Sequence, residues 1–178
     1  MENVFSQNNN RSAFSWDNLG NIKEGRGDLG EEMPVLVYRM LLFALLEVLS
    51  KDFGNEKANH YMREAGRLAG AEFARNMLNL NVPFEKFVAS LQQALQGLKI
   101  GILRIEFAAE SAEEIVLTVS QDLDCSGLPI SNGTVCNYDE GFLAGIFEVY
   151  TKKPYSVREI DCWANGDRVC RFQCNCVG

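Results

Sequence analysis

The most constraining feature of the chain is the run EIDCWANGDRVCRF, residues 159–172, because it predicts a β-hairpin that carries two cysteines. Two short apolar arms flank an Asn165-Gly166-Asp167 turn, which is a strong hairpin signal. With those three residues as the loop, Cys162 lies directly across from Cys170. Opposite residues on antiparallel strands bring their Cβ atoms within about 4.5–5.5 Å, so the two thiolates can share a metal ion.

Two further residues can complete a metal site. Cys136 lies one residue before a predicted helix, 137–151, and a helix N-terminus favours the thiolate form. Glu159, three residues before Cys162, offers a carboxylate oxygen, and a set of three cysteines and one glutamate suits tetrahedral zinc. Residues three apart on a regular strand point to opposite faces, so this set requires a β-bulge between Glu159 and Cys162. Spacing alone leaves open a reduced thiol pair or a disulfide.

Composition excludes several classes of protein. A length of 178 residues fits one domain, and a net charge of −7 disfavours contact with a nucleic-acid backbone. The N-terminus lacks the charged and apolar regions of a secretory signal. The longest apolar stretch, residues 34–46, is too short to span a membrane. We therefore expect a cytoplasmic protein, in which six cysteines indicate metal binding or catalysis before disulfides.

Apolar spacing predicts an α+β fold. Residues 1–12 are polar and Asn-rich and predict a flexible arm, and residues 13–178 predict a single ligand-binding domain. One or two short strands are expected within residues 13–33. The longer predicted elements are helices at 34–53, 56–78, 83–97 and 137–151, strands at 99–107 and 114–121, and the hairpin at 155–174. Helices of unequal spacing favour an antiparallel sheet packed against a helical layer over repeated βαβ units.

The first predicted helix, residues 34–53, is apolar on more than one face. The residues that spread around it are Val35, Leu36, Val37, Met40, Leu41, Leu42 and Leu45. A single chain would leave part of this surface exposed, and large exposed apolar patches mark interfaces. The pattern therefore predicts a homodimer that uses this helix.

The chain lacks a convincing catalytic set. His60 is the only histidine, so no Ser-His-Asp or Cys-His arrangement can be built without it. Many apolar residues and one structural metal favour a non-enzymatic domain with an apolar pocket between helices and sheet. The predicted lining is Phe73, Met77, Phe87, Leu91, Ile105, Phe107, Phe147 and Trp163. Gly66 and Gly70 nearby are expected to allow close helix packing.

The C-terminal string E-x-x-C-W-x-x-G-D-x-x-C-x-F resembles the signature of the 4-vinyl-reductase domain family. It comprises Glu159, Cys162, Trp163, Gly166, Asp167, Cys170 and Phe172. Weaker similarity extends upstream through Gly25-Arg26, the helix around Tyr38 and the Ala65-Gly66-Arg67 helix. The family includes proteins linked to bacteriochlorophyll synthesis, archaeal hydrocarbon-binding proteins, and the sensory domains of phenol- and toluene-responsive activators.

The resemblance implies a fold shared with nitric-oxide-sensing and vesicle-tethering ligand domains, in a homodimer. It also implies a structural zinc held by Cys136, Glu159, Cys162 and Cys170. Phenol-type sensors fix the hydroxyl with a His and a Trp, whereas Phe87 and Ile115 lie at those stretches here. A hydrocarbon, aromatic or lipid-like ligand is therefore expected, with a separate signalling partner. The alternatives are a factor or reductase of tetrapyrrole vinyl-group metabolism and a dimeric adaptor without ligand.

Overall fold

The computed structural model describes residues 14–131 and 133–177, so the predicted arm at residues 1–12 lies outside the described residues. Residues 14–32 belong to a compact unit of their own, with a 3-10 turn at Trp16–Leu19 and a short helix α1 at Ile22–Gly25. The prediction of strands here is wrong. The Asn21 carboxamide accepts from the Glu24 N–H at 3.1 Å, a side-chain cap that favours helical turns over a strand ladder.

The second unit starts at Met33 and contains the longer elements. They are α2 (Val35–Phe53), α3 (Asn55–Met77), α4 (Phe84–Gly97), β1 (Ile102–Ala108), β2 (Glu114–Ser120), α5 (Asn137–Thr151), β3 (Tyr155–Asp161) and β4 (Cys170–Cys176). These bounds follow the predicted elements to within a few residues. Strand β1 begins three residues later than predicted, after a turn in which Lys99 has a φ of 60°.

The four strands form an antiparallel sheet in the order β1-β2-β4-β3. One face alternates buried apolar residues, among them Ile115 and Leu117 on β2 and Phe172 on β4. Phe87 of α4 and Phe147 of α5 are also fully buried, with ring centroids 6.4 Å apart. The predicted α+β fold, a helical layer on an antiparallel sheet, is confirmed.

Helices α3 and α5 approach each other through glycines. A Cβ atom at Gly66 would overlap the carbonyl oxygen of Tyr138, and one at Gly70 would overlap that of Phe142. Gly141 and Gly145 on α5 meet α3 backbone in the same way. The predicted role of Gly66 and Gly70 in close helix packing is therefore confirmed, since the backbones occupy the space of the missing side chains.

Helix α2 differs from the other long helices in its exposure. Every residue of α2 is described and none is buried, with Leu36 and Leu41 each 69% exposed. Its polar residues hold it to the loop after β2. Tyr38 donates to Asp124 at 2.8 Å, and Arg39 donates to the Leu123 carbonyl at 2.7 Å. Within residues 14–131 and 133–177, the helices are too short or too polar to cross a membrane.

Candidate metal centre

The β3–β4 hairpin brings the predicted cysteine pair together. Glu159 pairs with Phe172 and Asp161 with Arg171, so the register shifts by one residue between them. Continuing the second register places Cys162 opposite Cys170, and both are buried. The bulge that the predicted ligand set of three cysteines and Glu159 requires is present, and it turns Glu159 and Cys162 toward the same side of the sheet.

The loop of the hairpin is longer than three residues and is closed by specific bonds. A 3-10 turn covers Trp163–Asn165, and Gly166 follows it with a φ of 95°, which favours glycine. The Cys162 N–H donates to the Asp167 carboxylate at 3.0 Å, and the Asp167 N–H donates to the Cys162 carbonyl at 3.2 Å. These bonds fix the backbone on both sides of the Cys162 thiol.

Two more cysteines reach the same point from other elements. Cys136 is the N-cap residue of α5, and Cys125 lies in the loop between β2 and α5. The Cys136 sulfur lies 3.9 Å from that of Cys162 and 3.8 Å from that of Cys170. The Cys125 sulfur lies 3.0 Å from that of Cys170. All four sulfur atoms lie within 4.8 Å of one another and are buried.

The sulfur spacing fits a tetrahedral ion better than a disulfide. A disulfide requires about 2.05 Å between sulfurs, and all six cysteines are free. Four sulfurs at about 2.3 Å from a central zinc ion lie about 3.8 Å apart, which matches the two distances from Cys136. The Cys125–Cys170 pair would open by about 0.8 Å to match the same tetrahedron. The donor set therefore fits zinc.

Glu159 lies beside the sulfur cluster and is 4% exposed. Its Oε2 accepts from the Cys136 N–H at 3.1 Å, whereas its Oε1 is buried without a hydrogen-bond partner. Burial first, and the Cys162 thiol after it, raise the pKa of Glu159 to about 8. The Glu159 N–H donates to Glu140 at 2.8 Å, and Glu140 in turn pairs with Arg63 at 2.5 Å. This chain of contacts holds the bulge in place.

Three carboxyl groups also lie near the cluster, of which Asp122 and Asp124 are buried and Asp139 is half-buried. Burial and then Asp122 raise the pKa of Asp124 to about 7. Burial, followed by Asp122 and Asp124, raises the pKa of Asp139, and its Oδ2 has no hydrogen-bond partner. One oxygen each from Asp122 and Asp139 lies within 4.8 Å of the Cys136 sulfur. A divalent cation among the sulfurs would stabilise the charged forms of these carboxyl groups and lower their pKa values.

The eight predicted pocket residues differ in how far they are buried. Phe73, Phe87, Leu91 and Phe147 are buried, and Ile105 is half-buried. Met77, the last residue of α3, is exposed, and so are Phe107 and Trp163. The Trp163 indole N–H donates to the Leu128 carbonyl at 3.2 Å, on the loop side of the hairpin. A ligand site lined by the buried members stays a prediction.

A small, partly open space with mainly apolar lining lies beneath α2. It is lined by Leu42, Phe43, Leu46, Met62, Asp124, Val135, Asn137 and Tyr138, and its volume is about 10 Å³. Such a volume admits about one water molecule. The space lies between α2, α3 and the N-terminus of α5, next to Cys136.

Sequence reasoning did not assign Cys125 to the cluster. It lies in a Gly/Pro/Ser-rich loop, where neither helical nor strand periodicity indicates the direction of a side chain. The available signal was its setting in the run DLDC, where Asp122 precedes it by three residues. The Asp122 carboxylate accepts from the Cys125 N–H at 3.1 Å and so fixes the loop.

Comparison with known proteins gives both sequence and structural relatives. Residues 115–175 match the V4R domain. Uncharacterized protein MJ1642 of Methanocaldococcus jannaschii is 31% identical over 152 residues, which cover 84% of this chain and 82% of that protein. Uncharacterized protein MJ0150 of the same organism is 26% identical over 103 residues, or 58% of each chain.

Three solved structures share the fold. The phenol-responsive sensory domain of the transcription activator PoxR with phenol has a TM-score of 0.63 at 18% identity and covers 83% of this chain and 79% of its own. A vinyl-4-reductase family protein from Methanocaldococcus jannaschii has a TM-score of 0.60 at 14% identity, with coverage of 84% and 85%. A trafficking protein particle complex subunit 3 from Naegleria fowleri, covalently bound to palmitic acid, has a TM-score of 0.66 at 12% identity, with coverage of 81% and 95%.

Proposed function

The chain belongs to the V4R domain family, and from that premise we propose that it is a non-enzymatic domain that binds a small apolar or aromatic molecule. The observation that carries the proposal is the apolar space beneath α2. None of the residues of α2 is buried, so the helix can shift outward and enlarge that space at small loss of packing. Two structural relatives, described with phenol and with palmitic acid, support this class of ligand.

We propose that a structural zinc ion stabilises the domain beside this space, where Cys136 begins α5. Cys136, Cys162 and Cys170 supply three thiolates, and the sequence prediction gives Glu159 as the fourth ligand. Zinc with four protein ligands has no open position and cross-links the elements that hold it. Here it would join α5 to both strands of the hairpin. Free thiols in such a site favour the reducing cytoplasm as its location.

A homodimer through α2 completes the proposal. The exposed apolar side chains of α2 include Leu36, Met40, Leu41 and Leu45. A helix of 19 residues is about 28 Å long. That length allows it to form the centre of an interface of standard size, which buries about 800 Å² on each partner. Contact between two copies would also close the ligand space, since α2 forms its outer wall. Any signal would pass from this dimer to a separate partner protein.

The test is ligand binding to the zinc-loaded protein, with toluene, palmitate and phenol as probes. Toluene or palmitate is expected to raise the melting temperature. Phenol is expected to raise it less, because Phe87 and Ile115 lie where phenol-type sensors have the His and Trp that fix the hydroxyl. A ligand at 100 times its Kd adds about 2.7 kcal/mol to the free energy of unfolding. Met62→Trp should fill the space beneath α2 and abolish the shift, whereas Leu68→Trp on the exposed side of α3 should preserve it.

The same assay separates the alternatives. If Leu91→Phe blocks binding and Met62→Trp does not, the ligand occupies the predicted core lining around Phe87 and Leu91. If none of the three probes binds and no small molecule is retained through purification, the adaptor role replaces ligand binding. A visible redox-cofactor absorbance in the purified protein would favour the reductase alternative.

A further inference from the structure

We infer that Cys125, and not Glu159, supplies the fourth ligand to the metal, so that the site is a four-cysteine centre. The inference rests on the proposed zinc site and deepens it. Among the described residues, the four sulfurs of Cys125, Cys136, Cys162 and Cys170 lie mutually within 4.8 Å, whereas the other such group, Asp122, Cys136 and Asp139, offers only three donors. All four residues are at most 1% exposed, so none has solvent as an alternative partner.

Glu159 has a different use in the same geometry. Its Oε2 accepts the N–H of Cys136, the residue that caps α5. An acceptor oxygen in this position satisfies the Cys136 N–H at the start of α5 and so orients the Cys136 backbone. The buried Oε1 is the rival donor, because it has no hydrogen-bond partner. A zinc ion surrounded by four sulfurs has no place left for it.

Ligation by Cys125 would connect the metal to α2. The loop that carries Cys125 also carries the carbonyl of Leu123 and the carboxylate of Asp124, which accept from Arg39 and Tyr38 of α2. The Ser126 carbonyl accepts from Arg39 as well, at 2.9 Å. A metal bound to Cys125 therefore fixes the segment to which α2 is attached. With Glu159 as ligand, the metal would hold only α5 and the hairpin.

The deciding experiment is zinc X-ray absorption spectroscopy of the full chain, since Zn–S bonds are about 2.3 Å and Zn–O bonds about 2.0–2.2 Å. The wild-type protein is expected to show four sulfurs and no oxygen in the first shell. Cys125→Ser should lose one sulfur, while Glu159→Gln should keep all four. Cys174→Ser is the matched control, because Cys174 is a buried thiol on β4 outside the cluster.

A wild-type shell of three sulfurs and one oxygen would overturn the four-cysteine centre and leave the proposed zinc site intact. A protein that purifies without zinc under non-chelating conditions would overturn both. The wild-type spectrum decides between these outcomes even if Cys125→Ser does not fold. As a second readout, hydrogen exchange in α2 should rise at least several-fold in zinc-loaded Cys125→Ser and stay unchanged in Cys174→Ser. Unchanged exchange in both would contradict the connection to α2.

Discussion

The sulfur cluster and helix α2 lie on either side of the same loop, yet they are stabilised in opposite ways. The cluster has all of its donor atoms within one chain, buried and converging from three elements. Helix α2 has many apolar side chains and no buried residue, and its described tertiary hydrogen bonds are made by Tyr38 and Arg39. Under the proposed function, an ion would complete the first region and a second copy of the chain would cover the other.

The largest expected effect is loss of a metal ligand. Cys162→Ala should lower the free energy of unfolding by about 4 kcal/mol or more, because a structural metal contributes to folding directly. Cys174→Ala removes an equally buried sulfur that lies outside the cluster, and should lower it by only about 1 kcal/mol. Chemical denaturation of both variants with and without a zinc chelator measures the difference. Equal losses in the two variants would mean that the cluster holds no metal.

The next effect concerns the uncovered helix. Leu41→Asp should lower the association constant of the dimer by about 30-fold or more. The substitution removes an apolar contact at the proposed interface and places a charge there. The free energy of unfolding of the isolated chain should stay within about 0.5 kcal/mol, because Leu41 is exposed there. Ile130→Asp, at a similarly exposed loop residue, is the control and should leave the association constant unchanged. Sedimentation at several concentrations measures the association constant.

A third variant tests the close packing of α3 on α5, the helix that begins at the sulfur cluster. Gly70→Ala should cost about 1–3 kcal/mol of stability, because its Cβ would overlap the Phe142 carbonyl oxygen. Gly97→Ala, at the end of α4, meets nothing within 4 Å and should be neutral or slightly stabilising. Thermal unfolding compares the two.

The smallest expected effect depends on pH and lies in the link between cluster and α2. In the metal-free folded protein, burial and the neighbouring Asp122 raise the pKa of Asp124 to about 7, compared with about 3.9 when the chain is unfolded. Its stabilising contribution is complete below pH 4 and is lost as the pH rises through 7. Asp124→Asn removes this titration and keeps an acceptor for Tyr38. The free energy of unfolding of the variant, relative to that of the wild type, should therefore increase by about 2 kcal/mol as the pH rises from 5.5 to 8. If the difference in free energy of unfolding between Asp124→Asn and the wild type does not change with pH, the pKa of Asp124 is not raised in the folded protein.

The elements that sequence predicted well are those with local signals. Helix α5 covers residues 137–151 as predicted, and β3 and β4 pair antiparallel as the hairpin signal indicates. The strands expected before residue 34 were wrong, because side-chain caps such as Asn21 favour helical turns there. Apolar periodicity cannot distinguish those two outcomes in so short a segment.

Residues whose direction depends on irregular backbone were harder to place. A register shift between Ile105 and Phe107 pairs Phe107 with Val116, so Phe107 leaves the inner face that strict alternation would give it. Trp163 lies in a 3-10 turn and not on a strand. Cys125 reaches the cluster through a loop whose path is set by backbone contacts, such as the Leu123 N–H to the Ile100 carbonyl at 2.8 Å. Such contacts have no signature in one sequence.

Native mass spectrometry of the unchelated protein tests the contrast between the two regions most directly, because it counts chains and metal ions together. The account predicts two chains with two zinc ions, and one zinc ion on each chain after mild dissociation of the dimer. A dimer with a single zinc ion would contradict a centre built within one chain. A monomer at micromolar concentration would contradict the need of α2 for a second copy, and metal-free chains would contradict the metal centre itself.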